Sequence, residues 1–415
     1  MKKYNTDVLI IGAGPAGMAA ALELSRLKVD KIIIIDRDIK AGGLPHLTNH
    51  TGFGMRDIHR VLSGPAYANF YIKKIKDTTI EIFTGTTVTG WKNENTLNIT
   101  TPSGLGTITA KAILLVTGCR ERPRSARLIP GSRPKGIFNT GSLQDFVHNY
   151  KRAIGKKAVI IGAELVSYSA IHTLRKAGCK PILMTTEFDK PQVPFNYLPF
   201  KWWSSNLLNS VPLEVNTKIS DIFGKKRVEG IELTNIKTGD KKRVDCDVVI
   251  LTGDWIPDHE MARLGGIEIN ENTKGPIVDG YLRTSNRGVF AAGNLLRGAE
   301  PSDIAALEGK HVAKSIYDYL KKDTWHQKRV KINIDDPIQW ISPNAVELGS
   351  YDLPLNRFLF RVKDFMKNKT LEIRQDKELL FSKTYKKIIP NYSQKLSGEW
   401  QDKIKGVSPI TLTLK

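Results

Sequence analysis

Six residues near the start of the chain, Gly12-Ala13-Gly14-Pro15-Ala16-Gly17, have the types and spacing to hold a pyrophosphate. Gly12 permits a tight turn, Gly14 lets phosphate oxygens approach the backbone, and Gly17 lets a helix pack closely on a strand. Pro15 suits a first helical turn, where a missing N–H costs nothing. Further on stands Asp36, placed to accept hydrogen bonds from the hydroxyls of an adenosine ribose. An altered copy of the motif occurs at Gly162-Ala163-Glu164-Leu165-Val166-Ser167 and keeps only the first glycine. Glu164 brings bulk and negative charge to the place where phosphate must approach, and Ser167 replaces the packing glycine. Two readings follow: a nicotinamide site of altered geometry, or a domain that kept its fold and lost or changed its ligand. Sterics and charge favour the second.

Other reactive side chains carry weaker signals. Residues 43–60 concentrate His46, His50, Arg56 and His59. His46 and His50 are spaced for a metal only on a helix, and the Thr48-Asn49 and Thr51-Gly52 pairs around them read as loop, so no metal site is expected. Cys119 has no base partner in view and reads as a small loop residue. The aromatic stretch Phe195, Tyr197, Phe200, Trp202 and Trp203, punctuated by Pro191, Pro194 and Pro199, reads first as core packing and second as a lid or partner surface.

These residues need a frame. Residues 7–11 form a short apolar run ending at a glycine, the pattern of a buried parallel strand, and an Ala/Leu-rich helix follows to about residue 27. A second apolar run, residues 31–35, ends at Asp36, so strand, turn, helix, strand and acid come in the order a dinucleotide-binding unit requires. Residues 55–75 read as a helix broken near Gly64-Pro65, and residues 112–116 as a buried strand ending at Thr117-Gly118. Residues 136–150 read as a helix, after which a second βαβ unit begins near residue 155. Residues 289–292 read as a strand capped by Gly293-Asn294, followed by a long helix over about 301–320 with Asp303 near its start. Beyond Trp325, alternating runs at 330–334, 371–375 and 410–414 predict a small β-rich domain.

Composition narrows the function classes. A length of 415 residues allows about three domains. The formal charge of +21 is compatible with a nucleic-acid or anionic partner, but no basic stripe interleaved with aromatics appears, so general surface charge is expected and no nucleic acid. Three cysteines far apart, with no C-x-x-C, point to a reducing, cytoplasmic compartment. No segment is long and apolar enough for a membrane span, and the chain begins almost on its first strand, which leaves no room for a signal peptide.

Three motifs together carry a resemblance: the N-terminal fingerprint; the strand ending in Thr117-Gly118 before Arg120-Glu121-Arg122-Pro123; and residues 284–294, which end in Gly293-Asn294. The chain resembles the flavoproteins with two dinucleotide-binding domains, the glutathione-reductase-like superfamily. The resemblance implies an α/β fold with two Rossmann-like dinucleotide-binding domains, the second inserted in the first. Residues 1–150 plus 277–325 would form the FAD-binding domain, residues 151–276 the NAD(P)-type domain, and residues 326–415 the C-terminal β-rich appendage. It implies FAD as cofactor and leaves NAD(P) in doubt. Gly12, Ala13, Gly14, Pro15, Ala16 and Gly17 match the pyrophosphate turn, and Asp36 with Arg37 the adenosine ribose. Gly43 and Leu44 follow the loop that leads toward the flavin ring, and Val88 falls where backbone meets adenine. Thr117 and Gly118 match the loop closing over the cofactor. Gly293 and Asn294 match the motif that usually ends in aspartate and binds the ribityl chain and pyrophosphate. The helix starting near Ser302 would aim its N-terminus at the flavin C2 carbonyl. No catalytic acid or base is assigned; His46 and Arg56 are candidates for stabilising reduced flavin or an anionic substrate, and a loop with hydrogen-bonded histidines is the equal alternative.

A closer resemblance, carried by residues 42–67, 162–170 and 250–260, is to the α-type flavoprotein subunits of sarcosine, opine and proline oxidases or dehydrogenases and of hydrogen cyanide synthase. It implies a small-molecule substrate oxidised at a CH–NH bond, a second flavoprotein subunit, and an iron–sulfur centre on a partner chain, since this chain lacks the cysteines for one. The alternatives are a stand-alone NAD(P)H-dependent flavin reductase and a non-catalytic nucleotide-binding scaffold subunit.

Overall fold

The computed structural model describes residues 2–193, 211–325, 328–349 and 353–415. The aromatic stretch from Phe195 to Trp203 lies outside the described residues. The chain forms two compact units: Met1–His46, Thr51–Arg120 and Ile256–Lys415 make the first, while Leu47–His50 and Glu121–Trp255 make the second, so the second is inserted in the first.

The first unit opens with β1 (Lys2–Ile11), α1 (Pro15–Arg26) and β2 (Ile32–Ile35). Val8, Leu9 and Ile10 are fully buried, as are the helix residues Met18, Ala20 and Leu24 that pack near them. A buried aliphatic side chain of this kind contributes ~1.5–3 kcal/mol, which is what makes this strand central. A single turn of helix, α2 (Leu44–Leu47), precedes α3 (Gly64–Lys76). Where the sequence predicted a break at Gly64-Pro65 there is instead a helix start, because Pro65 occupies the first turn and the Ser63 hydroxyl accepts from the Ala66 N–H. β3 (Glu81–Phe83), β4 (Thr87–Asn93), β5 (Thr96–Thr101) and β6 (Gly104–Leu115) follow. The sheet runs in the order β3-β2-β1-β6-β5-β4. β1, β2, β3 and β6 are parallel, and β6, β5 and β4 form an antiparallel meander.

In the second unit β7 (Ile137–Asn139) leads into α4 (Thr140–His148). The predicted helix over 136–150 is therefore shorter, and its first residues pair as a strand. Then come β8 (Lys157–Ile161), α5 (Leu165–Lys176), β9 (Lys180–Thr185), β10 (Leu213–Glu214), β11 (Thr217–Phe223), β12 (Gly230–Asn235), β13 (Lys241–Val244) and β14 (Val248–Leu251). A parallel sheet in the order β7-β14-β8-β9-β10 has apolar clusters on both faces, and β11, β12 and β13 form an antiparallel ribbon.

Back in the first unit, β15 (Val289–Ala291) adds to the end of β6 in parallel, and α6 (Ser302–Lys322) packs on α1. The remainder is β-rich, as the alternating runs predicted. β16 (Arg329–Ile334), β17 (Ile338–Ser342), β18 (Ala345–Glu347), β19 (Arg357–Val362), β20 (Met366–Gln375), β21 (Glu378–Ile388), β22 (Gln394–Ser397) and β23 (Ile410–Leu414) form two sheets, β18-β16-β23-β20-β21 and β17-β19-β22. They enclose a core around the stacked rings of Phe358 and Trp400, 5.1 Å apart. Among the described residues no helix is long and apolar enough to cross a membrane.

Candidate functional site

The first fingerprint is shaped by three glycines with three different reasons. Gly12 has φ +120°, and a Cβ on it would lie 2.4 Å from the Val116 carbonyl oxygen. A Cβ on Gly17 would lie 2.0 Å from the Gly12 carbonyl oxygen. Gly14 differs: a Cβ there would meet no protein atom within 4 Å. Space, not crowding, surrounds Gly14. It caps α1 without any side-chain bond to the first turn, so the N–H groups of the helix start and their partial positive charge face that space. A helix start left open in this way is polarised toward anions.

Asp36 braces the turn. One carboxylate oxygen accepts the Ala13 N–H at 2.7 Å and the other accepts the Asp38 N–H at 2.9 Å. Burial outweighs those bonds and raises its pKa above the ordinary carboxylate value. The sequence predicted a ribose ligand; the geometry adds that the same carboxylate holds the turn in shape, with acceptor capacity left over. The backbone of Asp36 bonds Phe83 and Thr86, and the Gly85 N–H reaches Asp38, which anchors the strand carrying buried Val88. Arg37 points outward to pair with Asp258 at 3.3 Å.

The Gly42-Gly43 loop lies over the fingerprint. Gly42 donates to the Ala13 carbonyl at 2.9 Å, and a Cβ on Gly43 would lie 3.0 Å from the Gly14 Cα. Leu44, the next residue, is exposed. His46, in the turn of α2, has its Nδ1 buried without a hydrogen-bond partner, and burial plus the charge of Lys40 lower its pKa. Both effects disfavour its charged form. Thr117 donates its hydroxyl to the Asp258 carbonyl at 2.7 Å, and the Asp258 N–H returns to Gly118 at 2.9 Å. The Thr117-Gly118 loop therefore closes on residue 258, within the segment 250–260.

Gly293 reaches the fingerprint helix as well, with φ +71° and a would-be Cβ 3.0 Å from the Ala16 Cβ. Asn294 accepts the Glu300 N–H at 3.1 Å and donates to the Glu300 carbonyl at 3.4 Å. An aspartate could accept but not donate, so asparagine suits this loop closure. The loop delivers the chain to the start of α6. There Asp303, 3% exposed, accepts the Arg56 backbone N–H at 3.2 Å and its guanidinium at 2.9 Å. Arg56 thus sits at the helix N-terminus, while His59 lies exposed.

Three features carried no sequence motif. Glu308 takes the Gly293 N–H at 3.0 Å and pairs with Arg297, both fully buried. Asp57 accepts the hydroxyls of Tyr67 and Tyr71, each at 2.6 Å, and burial raises both phenols. Arg357 has a buried Nε without a partner. A glycine inside a long helix, Gly309, was the one available sequence signal: its Cβ would lie 2.1 Å from the Ala16 carbonyl oxygen.

The second fingerprint has another occupant. A Cβ on Gly162 would lie 2.0 Å from Thr252 Oγ1 and 2.8 Å from a carboxylate oxygen of Glu164, whose other oxygen lies 2.9 Å from a Cβ placed on Gly253. Ser167 and Thr252 share a hydrogen bond of 2.8 Å. Glu164 therefore fills the crevice at the carboxyl ends of β8 and β14, where a pyrophosphate would enter. Its Oε1 is buried without a partner, and burial pushes its pKa up. Arg127 donates to the carbonyls of Thr252 and Gly253, 2.7 Å each, and ties the rim.

Among the described residues no disulfide joins Cys119, Cys179 or Cys246; burial pushes the Cys179 thiol up to about 11 and the Cys246 thiol to about 12. Neither buried thiol is a thiolate at neutral pH.

Comparison with known proteins agrees with this architecture. An opine oxidase component from Rhizobium meliloti is 25% identical over 332 residues, 72% of this chain and 60% of that protein, so the chain spans less than two thirds of that relative's length. The soluble pyridine nucleotide transhydrogenase of Pseudomonas aeruginosa is 24% identical over 361 residues, 78% of this chain and 73% of that one. The crystal structure of T. acidophilum thioredoxin reductase superposes with a TM-score of 0.61 over 76% of this chain and 98% of its own, at 24% identity, and shares the fold. The family model for pyridine nucleotide-disulphide oxidoreductases matches residues 6–309, so this chain belongs to that family of FAD-binding oxidoreductases.

Proposed function

We propose that this chain is the FAD-carrying subunit of an assembly that oxidises the CH–NH bond of an amine or amino acid. The observation that carries the reading is the contrast between its two fingerprints: the first keeps an open, polarised cradle, and Glu164 fills the second. With that crevice closed to a conventional NAD(P)H, electrons enter from a substrate or a partner. The similarity to an opine oxidase component supports the same direction.

Residues 1–150 with 277–325 are assigned to FAD, residues 151–276 to the NAD(P)-type domain, and residues 326–415 to an appendage. In the first of these, the N–H groups after Gly14 hold the pyrophosphate, with Gly43 lying over the turn and Gly293 beside it. Asp36 takes the ribose, and the strand at Val88 backs the adenine. The N-terminus of α6, with Arg56 beside it, favours negative charge on the ring. Bound flavin supplies the hydride acceptor, N5. The protein's part is orientation, exclusion of water and a His46, near Gly42, whose charged form burial disfavours. A second flavoprotein subunit, an iron–sulfur partner chain and a cytoplasmic location belong to the same proposal.

A stand-alone NAD(P)H-dependent reductase is the reading the transhydrogenase similarity favours, and it requires Glu164 to leave the crevice. Anaerobic spectroscopy of the purified protein separates them. Bleaching of bound flavin by N-methylglycine, L-proline or an opine, and not by NADH or NADPH, is the expected result. Bleaching by NAD(P)H alone would favour the reductase. A colourless protein releasing no FAD would leave only a scaffold.

A further inference from the structure

We infer that the C-terminal β-rich region supplies a carboxylate-binding site at the N-terminal end of α6, so that the substrate of the proposed oxidation carries an anionic carboxylate. This rests on the reading just given and adds to it the substrate's charge.

The site follows from sheet register. In the β17-β19-β22 sheet, alternate residues of β19 share a face. Phe358, Phe360 and Val362 turn into the core behind the sheet. Arg357, Leu359 and Arg361 take the opposite face. Leu359 packs against Ile304 in the first turn of α6, and Arg361 donates to the Ala299 carbonyl and to Glu300 at 2.6 Å. This face therefore covers the segment from Ala299 to Ile304. On the neighbouring strand Lys395 stands directly opposite Leu359, which places its side chain on that face, diagonal to Arg357. Arg56 reaches the same helical turn through Asp303.

Among the described residues, the ion pairs there leave cations over. Asp303 is committed to Arg56, Glu300 to Arg361 and Ser393, and Glu308 to Arg297 and the Gly293 N–H. Among the described residues, that leaves Arg357 and Lys395 without a carboxylate of their own, and the Arg357 Nε is buried without a hydrogen-bond partner. Burial depresses the pKa of Arg357, with Arg56 adding to it and Glu308 and Glu300 only partly offsetting both; burial also depresses that of Lys395, with Arg357 and then Arg56 adding. Three cations that repel one another gather at a helix end whose dipole is also positive. An arriving carboxylate relieves that repulsion, and a guanidinium can grip it with two parallel N–H bonds. An amide of the same shape can do neither.

The test uses flavin-loaded protein and non-oxidisable probes: pyrrole-2-carboxylate and benzoate against pyrrole-2-carboxamide and benzamide. Affinity is read by calorimetry and by perturbation of the flavin absorption bands. Each acid is expected to bind at least tenfold more tightly than its amide. Lys395→Glu, at an exposed position, and Arg357→Gln are each expected to abolish most of that preference; Lys395→Glu should leave FAD content and thermal midpoint unchanged. Equal affinity for acids and amides, no binding of either acid, or a preference that survives both substitutions would overturn the site. Flavin bleaching by amines without a carboxylate preference would leave the proposed function standing and remove this site. A carboxylate preference in a protein that no amine bleaches would uphold the site and remove the function.

Discussion

The Cα of Gly309 in α6 faces the backbone carbonyl of Ala16 in α1 so closely that a Cβ added to it would lie 2.1 Å from that oxygen. No side chain fits there. In a helix interior glycine costs about 1 kcal/mol relative to alanine, so the close crossing is what explains it. Gly309→Ala should therefore destabilise despite its better helix propensity, by roughly 1–3 kcal/mol from overpacking. Since Ala16 lies within the fingerprint, FAD retention should fall as well. Thermal unfolding and the FAD released per chain on denaturation check both; a stabilised, fully yellow variant would contradict the packing argument.

Gly14 gives the opposite signature. Its φ is −80° and no protein atom lies within 4 Å of a Cβ placed on it, so Gly14→Ala is compatible with the folded backbone. The methyl group would instead occupy the space assigned to phosphate. The expected outcome is an apoprotein with an unchanged urea midpoint and an FAD affinity at least tenfold weaker, read by fluorescence titration of the apoprotein. Stability lost without affinity lost would place the phosphates elsewhere.

Arg297 and Glu308 are a buried pair in which each partner has a second job: Arg297 donates to the Ser342 hydroxyl at 3.2 Å, and Glu308 accepts the Gly293 N–H at 3.0 Å. Removing one charge strands the other. Glu308→Gln should cost about 3–5 kcal/mol, whereas Arg297→Met with Glu308→Leu should recover much of that loss. A double-mutant cycle in urea measures it, and additive losses would mean the two charges act independently.

What was legible in the chain was local. The strand, turn and helix of the first fingerprint are contiguous, so their spacing alone revealed the glycines, although the atom that demands glycine at 12 is the carbonyl oxygen of distant Val116. The alternating runs after Trp325 likewise announced strands. The proline at 65 misled because Pro is equally a helix breaker and a helix starter; the Ser63 cap decides between them. Arg56 at Asp303, Glu308 at Gly293, and Arg357 beside Lys395 join residues far apart in sequence, and no spacing encodes such pairs. Glu164 was visible as a wrong residue in a motif, but only the fold shows its carboxylate occupying the crevice.

That carboxylate should leave a pH signature. Burial holds the Glu164 pKa in the folded state above its ordinary value of 4.5. For an acid with a raised folded pKa, the unfolded chain ionises first, so stability is intact below about pH 4.5 and falls as pH rises through the folded value. Glu164→Gln removes that titration. Relative to wild type, the variant should therefore gain stability progressively from pH 4.5 upward and none below it. Urea midpoints of both proteins between pH 4 and pH 8 give the difference directly, on the order of 1 kcal/mol or more if the folded pKa is raised by one unit or more. A constant difference across the range would mean that Glu164 titrates as it does in the unfolded chain, against its burial in the second crevice.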